Sequence, residues 1–96
     1  MASSVEYKDF ILEQLSLLDS ITYKKMMGEY LLYNDGQLFG GIYDNRLLVK
    51  KTKTNEKFKM KEQFPYKGAK KMYFVDEIDD KKTLKQIVIE TCKGLK

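Results

Sequence analysis

The residues of this chain that could take part in chemistry are lysines, carboxylates and a single thiol, because the sequence contains no histidine. Without histidine, the usual nucleophile–base pairs and the commonest metal ligand are missing. Cys92 has no evident activating neighbour, and one cysteine builds neither a disulfide framework nor a cysteine zinc cluster. The acidic pairs Asp76-Glu77 and Asp79-Asp80 precede a predicted helix, where carboxylates usually act as caps. We therefore expect no enzyme, no cofactor and no metal, although a lysine-based or substrate-assisted reaction stays open as an alternative.

The basic residues are concentrated in one segment. Residues 1–45 carry a net charge of −4, residues 46–74 a net charge of +8, and residues 75–96 no net charge. Such a segment can attract phosphate-rich polymers, which makes a nucleic-acid-binding module one hypothesis. The alternative is a solvated lysine-rich surface, which the scarcity of arginine favours. The candidate nucleic-acid contacts are Lys50, Lys51, Lys53, Lys57, Lys70 and Lys71.

Hydrophobic spacing predicts the elements that position these residues. The stretch Ser3-Ser4-Val5-Glu6 reads as a capping box with Ser3 as N-cap, and helical periodicity follows over residues 4–18. From Ile21 the period changes to two, which predicts antiparallel strands over residues 21–27, 30–33, 37–43 and 46–50. Turns centred on Asp35-Gly36 and Asp44-Asn45 connect the later strands of this meander.

The predicted register leaves the sheet apolar on both faces. The two turn centres place Tyr33 opposite Leu38, Leu31 opposite Gly40, and Ile42 opposite Leu47. An antiparallel meander normally keeps one polar face, so the second face requires a cover. Either later segments of the chain cover it, or a second copy does so in a two-fold dimer. The candidate interface residues are Tyr30, Leu32, Phe39, Tyr43 and Leu48.

The last third of the chain completes an α+β fold. Thr54 or Asn55 is placed to cap a short helix with Phe58 pointing inward, and Pro65-Tyr66-Lys67-Gly68 reads as a turn. Residues 71–75 predict another strand. Asp79 or Asp80 caps a closing helix, whose end is signalled by Gly94. Its buried stripe is Leu84, Ile87, Val88, Thr91 and Leu95.

The central segment from Met26 to Lys50 resembles the N-terminal domain of the TfoX/Sxy family. The residues that carry the resemblance are the Met-Met-Gly start, the Asp-Gly turn, the aromatic strand after it, the polar turn and the strand ending at Lys50. Pro65-Tyr66 and Met72-Tyr73 match later landmarks of the family. The chain departs from the family pattern at Met27, where Phe is usual, at Glu29, where a second Gly is frequent, and at Asp76, where Pro commonly follows the strand.

The resemblance implies an antiparallel sheet with flanking helices, similar in outline to secretion-chaperone folds. It also implies a bacterial protein with at most an indirect link to transcriptional or competence regulation, and it supplies no catalytic residues. Longer relatives carry a second domain, so we expect a short stand-alone member with a single domain over residues 1–96.

Two functional hypotheses follow. The favoured one is a regulatory or protein-interaction domain that forms a homodimer and has a further protein partner of unknown identity. The other is the nucleic-acid-binding module. The polar, acidic N-terminus shows no targeting signal, and apolar runs are too short for a membrane span. With a lone thiol as well, we expect a cytoplasmic protein that does not contact membranes.

Overall fold

The computed structural model of the chain describes residues 2–96 and folds them into two α-helices and one antiparallel sheet. The helices are α1 (Val5–Gln14) and α2 (Lys81–Gly94). A 3-10 turn, Glu56–Phe58, follows the fourth strand. The predicted α+β fold class is confirmed. The strands are β1 (Ile21–Met26), β2 (Glu29–Asn34), β3 (Gln37–Ile42), β4 (Leu47–Val49), β5 (Lys61–Gln63) and β6 (Met72–Val75).

Three two-residue turns generate the meander of the first four strands. Met27-Gly28 joins β1 to β2, Asp35-Gly36 joins β2 to β3, and Asp44-Asn45 joins β3 to β4. All six residues have positive φ, between 52° and 83°. Positive φ at both turn positions is the geometry of type I′ hairpins, whose twist matches that of the flanking strands. The two turn centres predicted from the sequence are thus confirmed.

The strand order is β1-β2-β3-β4-β6-β5, so the sheet has its edges at β1 and β5. β6 returns to pair with β4, and β5 adds to the far side of β6. β5 is a strand that the hydrophobic pattern does not predict. Its residues, Lys-Glu-Gln, include no β-branched or aromatic side chain, so only its pairing with β6 makes it a strand.

A β-bulge in β3 changes the predicted pairing of the second hairpin. Tyr33 and Leu38 pair as predicted, but Gly40 pairs with Leu32 and not with Leu31. One extra residue of β3 therefore lies between these two pairs. Successive strand residues point to opposite faces of a sheet. Because of the extra residue, the side chains of residues 30–32 in β2 lie on the opposite face, relative to residues 40–42 of β3, from the face that the predicted register gives.

The two helices pack on one face of the sheet, which we call the inner face. Ile11 of α1 and Leu84 of α2 are fully buried there, and Phe58 of the 3-10 turn packs against the same core. Of the predicted α2 stripe, Leu84, Ile87, Val88 and Thr91 are buried and Leu95 is partly buried. No helix formed by residues 2–96 is both long and apolar enough to cross a bilayer. The sheet residues of the core are Tyr30, Leu32, Phe39, Ile42, Leu47, Val49, Tyr73 and Val75.

The start and end of α1 differ from the prediction. Ser4, not Ser3, is the N-cap, and its hydroxyl accepts a hydrogen bond from the backbone N–H of Tyr7 at 3.0 Å. The helix ends at Gln14, four residues earlier than predicted. The apolar spacing nevertheless continues to Leu18, which packs against the core from the following turn. Spacing alone therefore does not distinguish a helical residue from an inward-facing residue of a turn.

Candidate functional site

The chain itself buries all five side chains predicted to form a dimer interface. Tyr30, Leu32 and Phe39 belong to the core beneath the helices, with exposed fractions of 3%, 0% and 0%. Tyr43 and Leu48 are 7% and 0% exposed. These side chains cannot form a contact surface in the folded chain, so the predicted dimer interface is wrong for these five residues. The bulge is the main physical reason, because it moves Tyr30 and Leu32 to the inner face.

The segment between β5 and β6 lies over the other face of the sheet, which we call the outer face. The Arg46 guanidinium donates to the side chain of Gln63 at 2.8 Å. It also donates to the carbonyl oxygens of Phe64 and Pro65, at 3.1 Å and 3.2 Å. The sole arginine therefore anchors this segment, and Pro65 beside it is buried. This agrees with the alternative that later parts of the chain cover the second face.

Four of the six candidate lysines line a single groove on this side of the sheet. β4 and β6 are antiparallel neighbours. Lys50-Lys51, which follow β4, therefore lie at the same end as Lys70-Lys71, which precede β6. Lys53 and Lys57 do not line the groove. The ammonium group of Lys57 instead lies 3.1 Å from the carboxylate of Glu90 in α2.

This lysine groove has a volume of about 700 Å³, a size typical of small-molecule sites. Its lining combines apolar side chains from the sheet with the covering segment and with charged side chains. A mixed lining of this kind suits a ligand that has both an anionic part and an apolar or aromatic part. The lining residues are Leu38, Gly40, Tyr43, Lys50, Lys51, Glu62, Pro65, Tyr66, Ala69, Lys70, Lys71 and Met72.

The charges of the lysine groove are only partly neutralised. Lys51 donates to the Glu62 carboxylate at 2.7 Å, and this contact raises the pKa of Lys51 and lowers the pKa of Glu62. Both side chains are about two-fifths exposed, so water screens this pair strongly. Within residues 2–96, neither Lys50 nor Lys70 forms an ion pair. The groove therefore has a positive net charge.

Two tyrosine rings in the groove lining differ in exposure. Tyr43 is buried, and burial raises the pKa of its phenol, with further contributions from neighbouring groups including Tyr66. The two ring centroids are 6.0 Å apart. Tyr66 is 60% exposed, and the adjoining Phe64 is 53% exposed with the ammonium of Lys71 5.4 Å from its ring centroid. Open aromatic faces thus lie beside the lysines.

The edge strand β1 is a second exposed feature, and none of its residues belongs to the predicted site residues. It pairs only with β2, and every residue after Ile21 is exposed. An edge strand presents unpaired backbone groups to another chain. Tyr23, Met26 and Met27 add apolar surface, with exposed fractions of 43%, 47% and 95%. The sequence contained a signal, since the first strand of a meander lies at an edge unless a later strand pairs with it.

The free backbone groups of β1 can be assigned. The carbonyl oxygen of Ser20 accepts from the backbone N–H of Asp35 at 2.9 Å. Antiparallel pairs alternate between hydrogen-bonded and non-hydrogen-bonded. The even-numbered residues of β1 therefore direct their N–H and C=O groups toward β2. Ile21, Tyr23 and Lys25 direct theirs away from the sheet.

The carboxylate and the thiol considered as possible catalytic groups, Asp80 and Cys92, have structural roles in α2. Asp80 caps α2, and hydrogen bonds from the hydroxyl and backbone N–H of Thr83 lower the pKa of its carboxyl. Cys92 is 8% exposed, and burial raises the pKa of its thiol, which disfavours the reactive thiolate. Across residues 2–96, no three His, Cys, Asp or Glu side chains are grouped to hold a metal ion.

An antiparallel six-stranded sheet that carries an N-terminal and a C-terminal helix on one face defines a small α+β domain. The chain belongs to the TfoX N-terminal domain family, which matches residues 13–94. It is also similar to a Spirochaeta aurantia protein described as an uncharacterised 12.7 kDa protein in the trpE 5′ region. The two are 32% identical over 80 residues, covering 81% of this chain and 70% of the relative. No solved structure matches the chain.

Proposed function

We propose that this domain is a non-enzymatic protein-interaction module that forms a two-fold dimer through the edge strand β1. The observation that carries the proposal is the six-residue strand with exposed side chains and outward-directed backbone groups at Ile21, Tyr23 and Lys25. Strand addition at such an edge is a common mode of recognition, because main-chain hydrogen bonds supply much of the affinity. Membership of the TfoX N-terminal domain family supports a regulatory role for this module, in transcription or competence.

Symmetry and backbone alternation together favour one register for this dimer. A two-fold axis makes the contact self-complementary, so the two copies of β1 run antiparallel. The outward-directed residues face one another when Tyr23 pairs with the partner's Tyr23. Ile21 then faces Lys25 of the partner subunit. A shift of two residues toward the β1–β2 turn would instead place Lys24 opposite the partner's Lys24, and such like-charge pairs are destabilising.

Apolar surface beside β1 gives the dimer area to bury. Met26 and Met27 are exposed at the β1–β2 turn, and Tyr23 is exposed in the middle of the strand. Next to the strand, on the side of α1, lies a cleft of about 480 Å³ whose lining is mostly apolar. Removal of such surface from water is the main favourable term in most protein association. The cleft is lined by Leu12, Leu15, Ser16, Leu18, Asp19, Ile21, Thr22 and Tyr23.

The test is sedimentation equilibrium of the wild-type chain and of Lys25→Pro over a wide range of concentration. We expect a wild-type dimer and a Lys25→Pro monomer. Within residues 2–96 the N–H of residue 25 points away from β2, so proline removes a donor from the free edge and leaves the pairing with β2 intact. Lys25→Ala is the matched control: it removes the same charge, keeps the N–H and is expected to remain a dimer.

A second readout locates the contact. In the dimer, the backbone amides of Tyr23 and Lys25 become protected from hydrogen exchange as the protein concentration rises. The proposal is contradicted if the wild-type chain is monomeric at every concentration. It is also contradicted if Lys25→Pro dimerises as well as Lys25→Ala, because the contact then lies elsewhere.

A further inference from the structure

The lysine groove gathers positive charge that the groups of residues 2–96 neutralise only in part. Lys50, Lys51, Lys70 and Lys71 line it, against a single carboxylate, Glu62. The antiparallel pairing of β4 with β6 brings the two lysine pairs together at one end of the sheet. Like charges held close together destabilise the folded chain, and a counter-charge relieves this repulsion. A bound anion would supply that counter-charge.

The same groove offers a flat aromatic surface beside the charges. Tyr66 is part of the lining and is 60% exposed, whereas Tyr43, 6.0 Å away between ring centroids, is buried. Tyr43 therefore supports the site from within, and Tyr66 has an accessible ring. Aromatic side chains beside a cationic groove stack nucleic-acid bases regardless of sequence, because every base has a π-face.

We propose that the lysine groove binds nucleotide phosphates with the attached base stacked on Tyr66. The ligand is either a free nucleoside polyphosphate or a nucleotide within single-stranded nucleic acid, since both present the same chemistry. Lysine binds phosphate as a point charge, so a cluster of lysines can hold phosphate without an arginine. The sole arginine, Arg46, is already engaged by the segment that covers the outer face.

The site does not depend on the proposed dimer. The groove lies at the end of β4 and β6, whereas β1 is separated from β4 by β2 and β3. Nucleotide binding and self-association can therefore succeed or fail separately. The Lys25→Pro variant, which is designed to remove the dimer, is expected to bind nucleotides as the wild-type chain does.

The test is fluorescence anisotropy of a labelled oligothymidine at low salt, with unlabelled ATP as competitor. We expect binding that weakens with salt, with a slope of log K against log salt between about −2 and −3 for three to four neutralised phosphates. Competition by ATP indicates a site that accepts free nucleotides. Binding of the oligonucleotide without competition indicates a site for the strand. Either result supports the shared chemistry and identifies its source.

Matched variants separate the groove from general basicity. The double variant Lys50→Gln, Lys70→Gln removes two groove lysines that form no ion pair within residues 2–96, and it is expected to bind about tenfold more weakly. The control Lys53→Gln, Lys59→Gln changes the net charge equally outside the groove, and its affinity should change less than about twofold. Tyr66→Leu keeps an apolar side chain but removes the stacking ring, so it should weaken oligonucleotide binding about tenfold.

Three outcomes would overturn this proposal. The first is the absence of binding to both oligothymidine and ATP at low salt, where electrostatic affinity is greatest. The second is an equal loss of affinity in the groove variant and the control variant, which would indicate unspecific charge attraction. The third is binding of a polyglutamate peptide with no binding of nucleotides, which would identify the groove as a site for acidic protein segments. Thermal unfolding followed by circular dichroism confirms that each variant is folded.

Discussion

The hydroxyl of Ser3 donates a hydrogen bond to the carboxylate of Glu29 at 2.7 Å, and the backbone N–H of Ser3 donates to the same oxygen at 2.9 Å. The other carboxylate oxygen accepts from the backbone N–H of Asp44. The Ser3 hydroxyl in turn accepts from the backbone N–H of Asn45. Glu29 therefore links the segment before α1, the start of β2 and the β3–β4 turn.

Replacement of Glu29 by alanine should destabilise the fold more than replacement of an exposed glutamate does. Glu29→Ala leaves the Ser3 hydroxyl and the Asp44 N–H without this acceptor, whereas the Ser3 N–H keeps the carbonyl of Gly28 at 3.1 Å. We expect a loss of about 1–3 kcal/mol in the free energy of unfolding, measured by urea denaturation. Glu6→Ala, an exposed residue of the first turn of α1, is the control. An equal effect of the two substitutions would show that this link contributes nothing to stability.

The same link explains why Ser4, and not the predicted Ser3, is the N-cap of α1. Ser3 and Ser4 are adjacent, and each satisfies the local capping pattern with an acceptor oxygen. Only the contact between Ser3 and Glu29, 26 positions apart, decides that Ser4 is the cap. Local signals therefore predict that a helix begins here, but the assignment of each hydroxyl depends on a tertiary contact.

A buried asparagine should be a second position of high sensitivity. Asn55 is fully buried. Its amide nitrogen donates to the carbonyl of Lys50 and to the hydroxyl of Thr91, both at 2.8 Å. Its amide oxygen accepts from the backbone N–H of Thr52. Asn55→Ala leaves the Thr52 N–H and the Lys50 carbonyl without this partner, whereas the Thr91 hydroxyl still donates to the carbonyl of Ile87. We expect about 2–4 kcal/mol of destabilisation in urea unfolding. Lys53→Ala, in the same turn but exposed, is expected to change stability by less than about 0.5 kcal/mol. A similar small change in Asn55→Ala would contradict the role of these bonds.

The sequence predicts which side chains lie on which face of the sheet only where apolar and polar residues alternate along a strand. From Tyr30 to Tyr33 every residue is apolar, so either register places apolar side chains on both faces. The turns at Asp35-Gly36 and Asp44-Asn45 have strong local signals and were predicted correctly. The bulge depends on contacts between strands and on the packing of Phe39, which the local pattern does not contain.

The candidate lysines show the same limit. Their number and charge are visible in the sequence, but their grouping depends on which strands are neighbours. Lys50-Lys51 and Lys70-Lys71 lie about twenty positions apart in sequence and are brought together only because β6 pairs with β4. Lys57 has the same residue type and a nearby position, yet it lies against α2. The non-local pairing of strands therefore separates the groove from the rest of the basic segment.

Replacement of Gly94 by alanine should destabilise the fold, which is the opposite of the usual effect of this replacement in a helix. Alanine normally stabilises a helical position by about 1 kcal/mol over glycine. A Cβ at Gly94, however, would overlap the side chains of Thr52 and Thr54. The hydroxyl of Thr54 is bonded to the carbonyl of Glu90, so it cannot move freely. We expect Gly94→Ala to lower the melting temperature, and a raised melting temperature would contradict this packing.

The stability of the fold should decrease in alkaline solution. Burial raises the pKa of the Tyr43 phenol, and also that of Tyr7, above the ordinary tyrosine value of about 10. A raised pKa means that the folded chain favours the neutral phenol. This stabilisation is therefore fully present below about pH 10, the pKa of an unfolded tyrosine, and is lost as the pH rises through the folded values. We expect the urea midpoint to fall above about pH 10 in the wild-type chain and to fall less steeply in Tyr43→Phe. Tyr66→Phe, which alters an exposed ring, is the control. If the urea midpoint of Tyr43→Phe falls above about pH 10 as steeply as that of the wild type, the buried phenol does not cause the alkaline loss of stability.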